Sequence, residues 1–495
     1  MERAYVYACN ESLSDLIMEC WRKHAVCACY ELLFTTIAVA VHGDYHYEGC
    51  ITVPLWSHGE CITRRKMLGY IVVCFKNDKR LQISGVWRKI LTAKRQKCEA
   101  FLLCGLLGAQ ASDVDFKERA VAEANNYFSH HFYQVLKWKP GNCVFSPFSA
   151  MAVLGMAYIG SAGETATQMA KSLRLPGQKD ATKAGFKSVL TRLKKLNGDV
   201  TLLMANKLYV DVTASVKKSF KESIRKYFLS EVQQMDFLRK KEESVLAINK
   251  WVEDKTSHNI KDIISQDAID PMGLMLLVNA MYFKGKWSHN FSPADTHSDT
   301  FHSYNNKSVD IDMMFTRGLF NFAEFDSYRV LKMYYKNRNI SMVVLLPNEI
   351  SGITGLEEIL PSLDWTSIDK KSALPSTVEL SLPKFKMETQ VKMKDILIEL
   401  GMTHMFTRIA NFSGISKHDI FVGNVVQKTF LDVTEEGTEA ASSTGLKMIG
   451  RRRFSQEPVQ IFRADHPFIF LIRDEITGTI LFCGRYSDPR VSIDD

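Results

Sequence analysis

The period of the apolar positions changes along this chain. Between residues 117 and 196 it is helical. Lys117–Lys137 is predicted as one helix, and Ser149–Ile159 (SAMAVLGMAYI), just after Pro147, as a helix apolar on every side and therefore buried. Thr165–Leu173 continues in helical character until Pro176-Gly177 stops it, and Ala181–Leu196 is amphipathic. Strand patterns enter next. Thr201–Val210 is strand-like, Thr213–Phe228 returns to helix, and Glu243–Ile263 reads as a longer helix with Trp251 on its apolar face. Leu274–Phe283 (LMLLVNAMYF) is predicted as a buried strand, Ile340–Leu346 as another, and Val378–Phe385 alternates as a half-buried one. Helices first and strands later imply an α+β fold with large, mostly antiparallel sheets rather than a βαβ repeat.

One polar stretch also carries a strand period. In Glu435–Gly445 (EEGTEAASSTG), Thr438, Ala440, Ser442 and Thr444 alternate with Glu439, Ala441 and Ser443. A period of two sends the sets to opposite faces. The first set is small enough to slide beneath a packed layer, while Glu439 stays in water. Leu446–Ile449 then leads to Gly450 and the run Arg451, Arg452, Arg453, ahead of the apolar run His466–Cys483. A long connection bearing an arginine run suits a trypsin-like protease as a substrate, and connections of this length usually have a function. A plain solvated loop is the competing reading.

Composition adds limits. The 495 residues are 46% apolar and 24% charged, as in an ordinary folded protein, and a formal charge of +8 gives only weak support for polyanion binding. No zinc-finger spacing, P-loop or dinucleotide fingerprint is present, and no His/Asp spacing singles out an enzyme site. No metal or other cofactor is therefore expected, nor a nucleic-acid partner. Nine of the eleven cysteines precede residue 105; Cys143 and Cys483 lie beside apolar runs, as buried thiols do, with a disulfide between them as the alternative.

Residues 1–97 show no persistent period, and runs such as Leu32–Val41 and Tyr70–Phe75 are shorter than the roughly 18 apolar residues that span a bilayer. No membrane association is expected. Lys94, Arg95 and Lys97 precede Ala100–Gly108 (AFLLCGLLG) and Ala109-Gln110-Ala111: a basic flank, an apolar stretch and a small-x-small site. Residues 98–111 thus read as a secretory signal, 1–97 as an extension outside the mature protein, and 112–495 as the working, secreted domain. A genuine amino-terminal module and a chance apolar patch are the alternatives.

Four separated segments carry a family resemblance in order: Val144–Ser149 (VFSPFS), Leu277–Trp287 (LVNAMYFKGKW), Asp432–Ala441 (DVTEEGTEAA) and Ala464–Phe470 (ADHPFIF). Over about residues 115–490 the chain resembles a serpin. That implies three β-sheets, about nine helices and an exposed reactive-centre loop. It also implies inhibition of a serine protease by covalent trapping, without catalysis by the inhibitor itself. Ser146, Ser149, Asn279, Trp287 and Gln427 match the region where the main sheet opens; Gln427 stands where the family often has histidine. Glu435, Gly437 and the alternating residues match the hinge, with Gly437 permitting the turn. The family's spacing puts the scissile bond between Arg451 and Arg452, with Arg453 a further alternative, so the implied partner is an arginine-specific serine protease.

The basic residues Lys183, Lys187, Arg192, Lys194 and Lys195 match the region where some serpins bind heparin-like polyanions; a solvated helix face is the alternative. Asn306, Asn339 and Asn411 begin Asn-x-Ser sequons for glycosylation, although Asn411 also falls in a family-like segment. A monomer is expected. A non-inhibitory carrier or chaperone-like protein of the same fold is the second reading. It is disfavoured because no bulky, charged or proline residue occupies the inward hinge positions.

Overall fold

The computed structural model describes residues 116–490 except 139–140, 197, 271, 305–306 and 436–458, together with three strands earlier in the chain. Two units separate, residues 1–111 and 112–495. In the first, β1 (Cys50–Ser57), β2 (Lys66–Cys74) and β3 (Gln82–Ile83) form an antiparallel sheet.

The second unit begins with α1 (Phe116–Leu136), β4 (Cys143–Phe145) and α2 (Pro147–Gly160). Ser146 caps α2 through the Ser149 N–H, Pro147 fills the first turn, and every α2 residue but Ile159 is buried, as continuous apolarity requires. α3 (Gly163–Ser172) and α4 (Lys179–Leu193) follow. α4 approaches α1 so closely that a Cβ on Gly185 would lie 2.4 Å from the Lys117 carbonyl oxygen. Next come β5 (Val200–Asp211), α5 (Lys218–Ser223) with a π-helical continuation to Phe228, β6 (Glu231–Met235), α6 (Lys241–Lys255) and β7 (Met275–Gly285).

Two predicted helices are shorter than their patterns. Asp211 Oδ1 accepts from the Thr213 N–H at 2.9 Å, and Lys217 N–H bonds the Ile415 carbonyl at 2.8 Å, so the chain enters α5 only at Lys218. α6 stops at Lys255 because Thr256 Oγ1 accepts from the Ile260 N–H at 3.2 Å and Ser257 and His258 adopt left-handed φ values of 51° and 62°.

The remaining elements are β8 (His297–His302), β9 (Ser308–Glu324), β10 (Tyr328–Tyr334), β11 (Ile340–Pro347), α7 (Ile353–Ile359), α8 (Trp365–Lys371), β12 (Pro375–Pro383), β13 (Phe385–Lys392), α9 (Lys394–Glu399), β14 (Val422–Val433), β15 (Gln460–Arg463), β16 (Phe468–Asp474) and β17 (Ile480–Tyr486). The predicted Val378–Phe385 strand is in fact two. The chain leaves one sheet at Pro383 and enters another at Phe385, with Lys384 at the crossing.

A nine-stranded sheet runs β15-β12-β9-β10-β11-β16-β17-β4, with β8 also on β9. The long β9 joins two halves: β12 pairs along residues 313–321, β8 along 308–313 and β10 along 321–324. Counted as two halves beside the five-stranded sheet β13-β14-β7-β5-β6, this gives the expected three β-sheets. The expected nine helices are the nine α-helices of the described residues. The five-stranded sheet has one large core beneath it, and a second apolar cluster where α6 covers its other face. Among the described residues no helix is long and apolar enough to cross a membrane, and no His/Cys/Asp/Glu cluster suits a metal. Cys143 and Cys483 are both buried.

One buried base gives the fold a pH dependence. The His130 ring is 7% exposed and accepts from Trp365 Nε1–H at 3.3 Å. Burial first, then the neighbouring His131, lowers its pKa from 6.5 to about 4. Between these values the unfolded chain binds a proton that the folded chain refuses. Stability therefore falls as pH drops through that window, by about 3 kcal/mol in all. Thermal unfolding of His130→Gln between pH 7.5 and 4 should show a flatter profile than the parent.

Candidate functional site

The centre of the five-stranded sheet is a polar row inside an apolar core. β14 pairs with β7 in parallel, placing Gln427 opposite Asn279, and β5 pairs antiparallel with β7, placing Asn206 opposite Asn279. Their side chains meet under the sheet at the start of α2. Gln427 Nε2 donates to Asn279 Oδ1 at 2.5 Å and to the Ser146 carbonyl at 2.8 Å, and its Oε1 accepts from the Ser146 N–H at 3.0 Å. Asn279 Nδ2 donates to Ser149 Oγ and to Asn206 Oδ1, and Ser149 Oγ donates to Asn206 Oδ1 at 2.9 Å. Ser146 Oγ donates to the Leu481 carbonyl of β17 at 2.7 Å. Ser146, Ser149, Asn279 and Gln427 are wholly buried.

Buried amides bonded this completely hold one arrangement and make any other costly. The seam between β14 and β7 cannot part without breaking the Gln427–Asn279 bond. Gln427, where the family often has histidine, both donates and accepts here. Asn279→Ala would strand Gln427, Ser149 and Asn206 together. A destabilisation of about 2–3 kcal/mol is expected, read as a lower urea midpoint.

A second set of contacts fastens the chain just beyond β14. Trp287, 2% exposed, stacks on Tyr335 with centroids 4.4 Å apart and donates its Nε1–H to the Thr434 carbonyl at 2.9 Å. Glu435 receives Thr296 Oγ1–H at 3.0 Å and pairs with Lys384 Nζ at 3.0 Å. Burial alone would raise its pKa, but a backbone hydrogen bond, Lys384 and Thr296 together hold it below the ordinary glutamate value. Glu435 is thus an anchored root. The other root of the loop is β15, parallel to β12.

Gly437, Thr438, Glu439, Ala440, Ala441, Ser442, Ser443 and Thr444 lie outside the described residues, as do Arg451, Arg452, Arg453 and Asn306. Asn339 is exposed in the turn between β10 and β11. Asn411 is also exposed, yet its carbonyl accepts from the Ala162 N–H at 2.8 Å, which gives it a part in seating α3.

The basic helix divides. Lys187, Lys194 and Lys195 are exposed. Lys183 pairs with Asp180 at 2.9 Å. Arg192 instead bridges Glu118 of α1 and Asp474 of β16, both at 2.6 Å, so it serves the fold. Sequence reasoning missed Asn206, Thr296 and Lys384. Only Asn206 left a signal, a lone amide inside the apolar strand pattern of β5.

The structure brings Ser146, Ser149, Asn279 and Gln427 together under the five-stranded sheet and sets Trp287 beside the root of the loop. Residues 123–489 match the family described as Serpin (serine protease inhibitor). The chain belongs to the serpin family. Serpin B6 of Macaca fascicularis is 36% identical over 379 residues, covering 74% of this chain and 99% of that protein. Among solved structures, Serpin48, a highly specific serpin of the insect Tenebrio molitor, is 32% identical at a TM-score of 0.66, covering 76% of this chain and all of that one. Native protease nexin-1 with heparin is 29% identical at a TM-score of 0.65, covering 75% of this chain and 99% of that one. As serpins, such proteins are in general protease inhibitors rather than catalysts.

Proposed function

We propose that this serpin inhibits trypsin-like serine proteases by suicide-substrate trapping after cleavage between Arg451 and Arg452. The observation that carries the reading is the parallel pairing of β14 with β7 directly ahead of the loop. A chain that leaves β14 and turns back runs antiparallel to β14. It is then antiparallel to β7 as well. Inserting it exchanges one parallel ladder for two antiparallel ones, which are more stable per residue. The closed sheet is therefore loaded, and the small alternating hinge residues suit entry.

In the reaction, the protease serine Oγ attacks the Arg451 carbonyl carbon. The bond to Arg452 nitrogen breaks, and that amine leaves with the proton carried by the protease histidine. An ester remains on Arg451. Insertion then outruns the attack of water on that ester, because strand entry carries the protease away and distorts its site.

The test is incubation of the domain from Ser112 with trypsin, followed by a denaturing gel and mass analysis. The expected result is a complex that survives SDS together with a released peptide beginning at Arg452. Clean cleavage without a complex, repeated with other arginine-specific proteases, would favour the carrier reading. Secretion through residues 98–111 belongs to the same reading, and a secreted product beginning near Ser112 is its check. A heparin-like polyanion on Lys187, Lys194 and Lys195 is a further part. It draws on their exposure, on twelve Lys/Arg against four Asp/Glu between residues 179 and 228, and on the heparin-bound relative. Loss of heparin retention in the triple alanine variant is expected.

A further inference from the structure

We propose that the Thr429 hydroxyl, buried under β14, is the seat for Ser442 of the loop once that loop enters the sheet. The groove then selects a hydroxyl at this one position of the entering strand. The proposal rests on the insertion reading above.

The first observation is an unsatisfied group. Along β14, Gln427, Thr429, Leu431 and Val433 are buried, and Lys428, Phe430 and Asp432 between them are half-buried. The period of two puts the buried set on the face under the sheet. Thr429 is wholly buried, and among the described residues its Oγ1 has no hydrogen-bond partner. Its two neighbours in the sheet do not serve it. Across the seam stands Met281, whose thioether is only a weak acceptor. On the other side stands Thr389 of β13, whose Oγ1 accepts from the Val144 N–H at 3.1 Å. A hydroxyl buried in this way is costly, and a valine would fill the same space without that cost.

The second observation is the register that the loop root allows. β14 ends at Val433. Trp287 then holds the Thr434 carbonyl, and Lys384 and Thr296 hold Glu435. The small alternating set begins at Thr438, straight after Gly437. Pairing Val433 with Thr438 leaves residues 434–437 as a four-residue turn. In an antiparallel pair each step back along β14 meets a step forward along the loop. Leu431 would then meet Ala440, and Thr429 would meet Ser442.

Opposed residues share a face, so this register sends the whole small set under the sheet. A turn one residue longer or shorter would send Glu439 there instead. A turn two residues shorter would start the strand with Glu436 facing inward, a buried charge without a partner. Opposed Cβ atoms lie about 4.5–5.5 Å apart, within reach of a bond between two hydroxyls. Insertion therefore satisfies a group that the closed sheet leaves unsatisfied. Thr429 is a positioning residue, since it touches the entering strand and not the scissile bond.

The test is a cycle between groove and strand. The protein and its Thr429→Val and Thr429→Ser variants are annealed with a synthetic peptide of residues 438–451, and with its Ser442→Ala and Thr444→Val versions. The parent should hold the parental peptide about fivefold or more tighter than the Ser442→Ala peptide. Thr429→Val should hold the two alike, and Thr429→Ser should restore the preference. In the whole chain, Ser442→Ala should raise the ratio of cleaved inhibitor to trypsin complex by a similar factor, but not in the Thr429→Val background. The uncut Thr429→Val protein should unfold at no lower temperature than the parent, because no bond is lost; a lower one would overturn the proposal. So would a preference that survives Thr429→Val, or one that follows Thr444 in place of Ser442. A parent that forms no protease complex would count against the inhibitory reading, while the peptide cycle would still decide the seat. A sheet that anneals no peptide in any variant would overturn it.

Discussion

Under the proposed trapping mechanism, Thr438→Arg should give a plain substrate. Trypsin would cleave the loop at the same bond and at a similar rate, but the complex surviving SDS should fall by about a hundredfold or more. The reason lies in which step the residue meets. In the proposed reaction the protease would read the arginine run, thirteen positions further along, so the first encounter and the acyl-enzyme should be unchanged. On the proposed insertion, Thr438 would be among the first residues to pass between β14 and β7, where Gln427 and Asn279 stand opposite each other. Their oxygens already accept, Gln427 Oε1 from the Ser146 N–H and Asn279 Oδ1 from Gln427 Nε2, and neither carries the negative charge that a buried guanidinium needs. A charge buried there without a partner stalls the strand for long enough that water releases the ester. Glu439→Arg is the matched control. By the period-two pattern an inserted strand would turn this position to the other face, and trapping should persist. The measurement is the ratio of complex to cleaved inhibitor on a denaturing gel. Equal ratios for Thr438→Arg and the parent would remove strand insertion from the mechanism.

How far the site could be read from residues alone depends on what each residue answers to. The helix α2 and the strand β7 were legible because continuous apolar runs have few other fates. The end of α6 was not. Ile260, Ile263 and Ile264 continue the apolar content of the helix and bury on the same sheet. They do so from an irregular strap begun by two left-handed residues, Ser257 and His258, that carry no glycine or proline signal. Arg192 looked like one more surface charge because Glu118 and Asp474 lie far away in sequence. Ser146, Ser149, Asn279 and Gln427 were found through the family resemblance, since no local period marks a polar residue as part of a clasp. Their chemistry became visible only with the parallel register of β14 on β7, a long-range fact that sets Gln427 against Asn279. Lys384 was hidden for the same reason. It sits where the chain changes sheets, and its partner Glu435 is fifty-one residues later.

The second large effect is expected at the bait. Arg451→Gln should lower the second-order rate of trypsin inhibition by about a thousandfold or more, while Arg452→Gln and Arg453→Gln should each change it by less than about tenfold. A trypsin-like pocket has a carboxylate at its base that the guanidinium satisfies with paired hydrogen bonds. Glutamine is shorter and neutral, so the carboxylate is left desolvated and unpaired, which is the most heavily penalised mismatch a pocket can meet. The neighbouring arginines do not rescue the variant. Cleavage after Arg452 or Arg453 leaves one or two more residues between the hinge and the ester. The inserted strand is then fully seated before it draws the protease tight against the far end of the sheet, and the ester has longer to hydrolyse. Arg451→Gln is therefore expected to be cut slowly one or two residues downstream and to yield product rather than complex. Mass analysis of the released peptide reads this directly. A peptide starting at Arg452 in the parent and at Arg453 or Phe454 in the variant, with loss of complex, assigns Arg451 as the bait. If Arg452→Gln rather than Arg451→Gln abolishes trapping, the bait is one position later and the hinge-to-bait spacing in this chain is one residue longer.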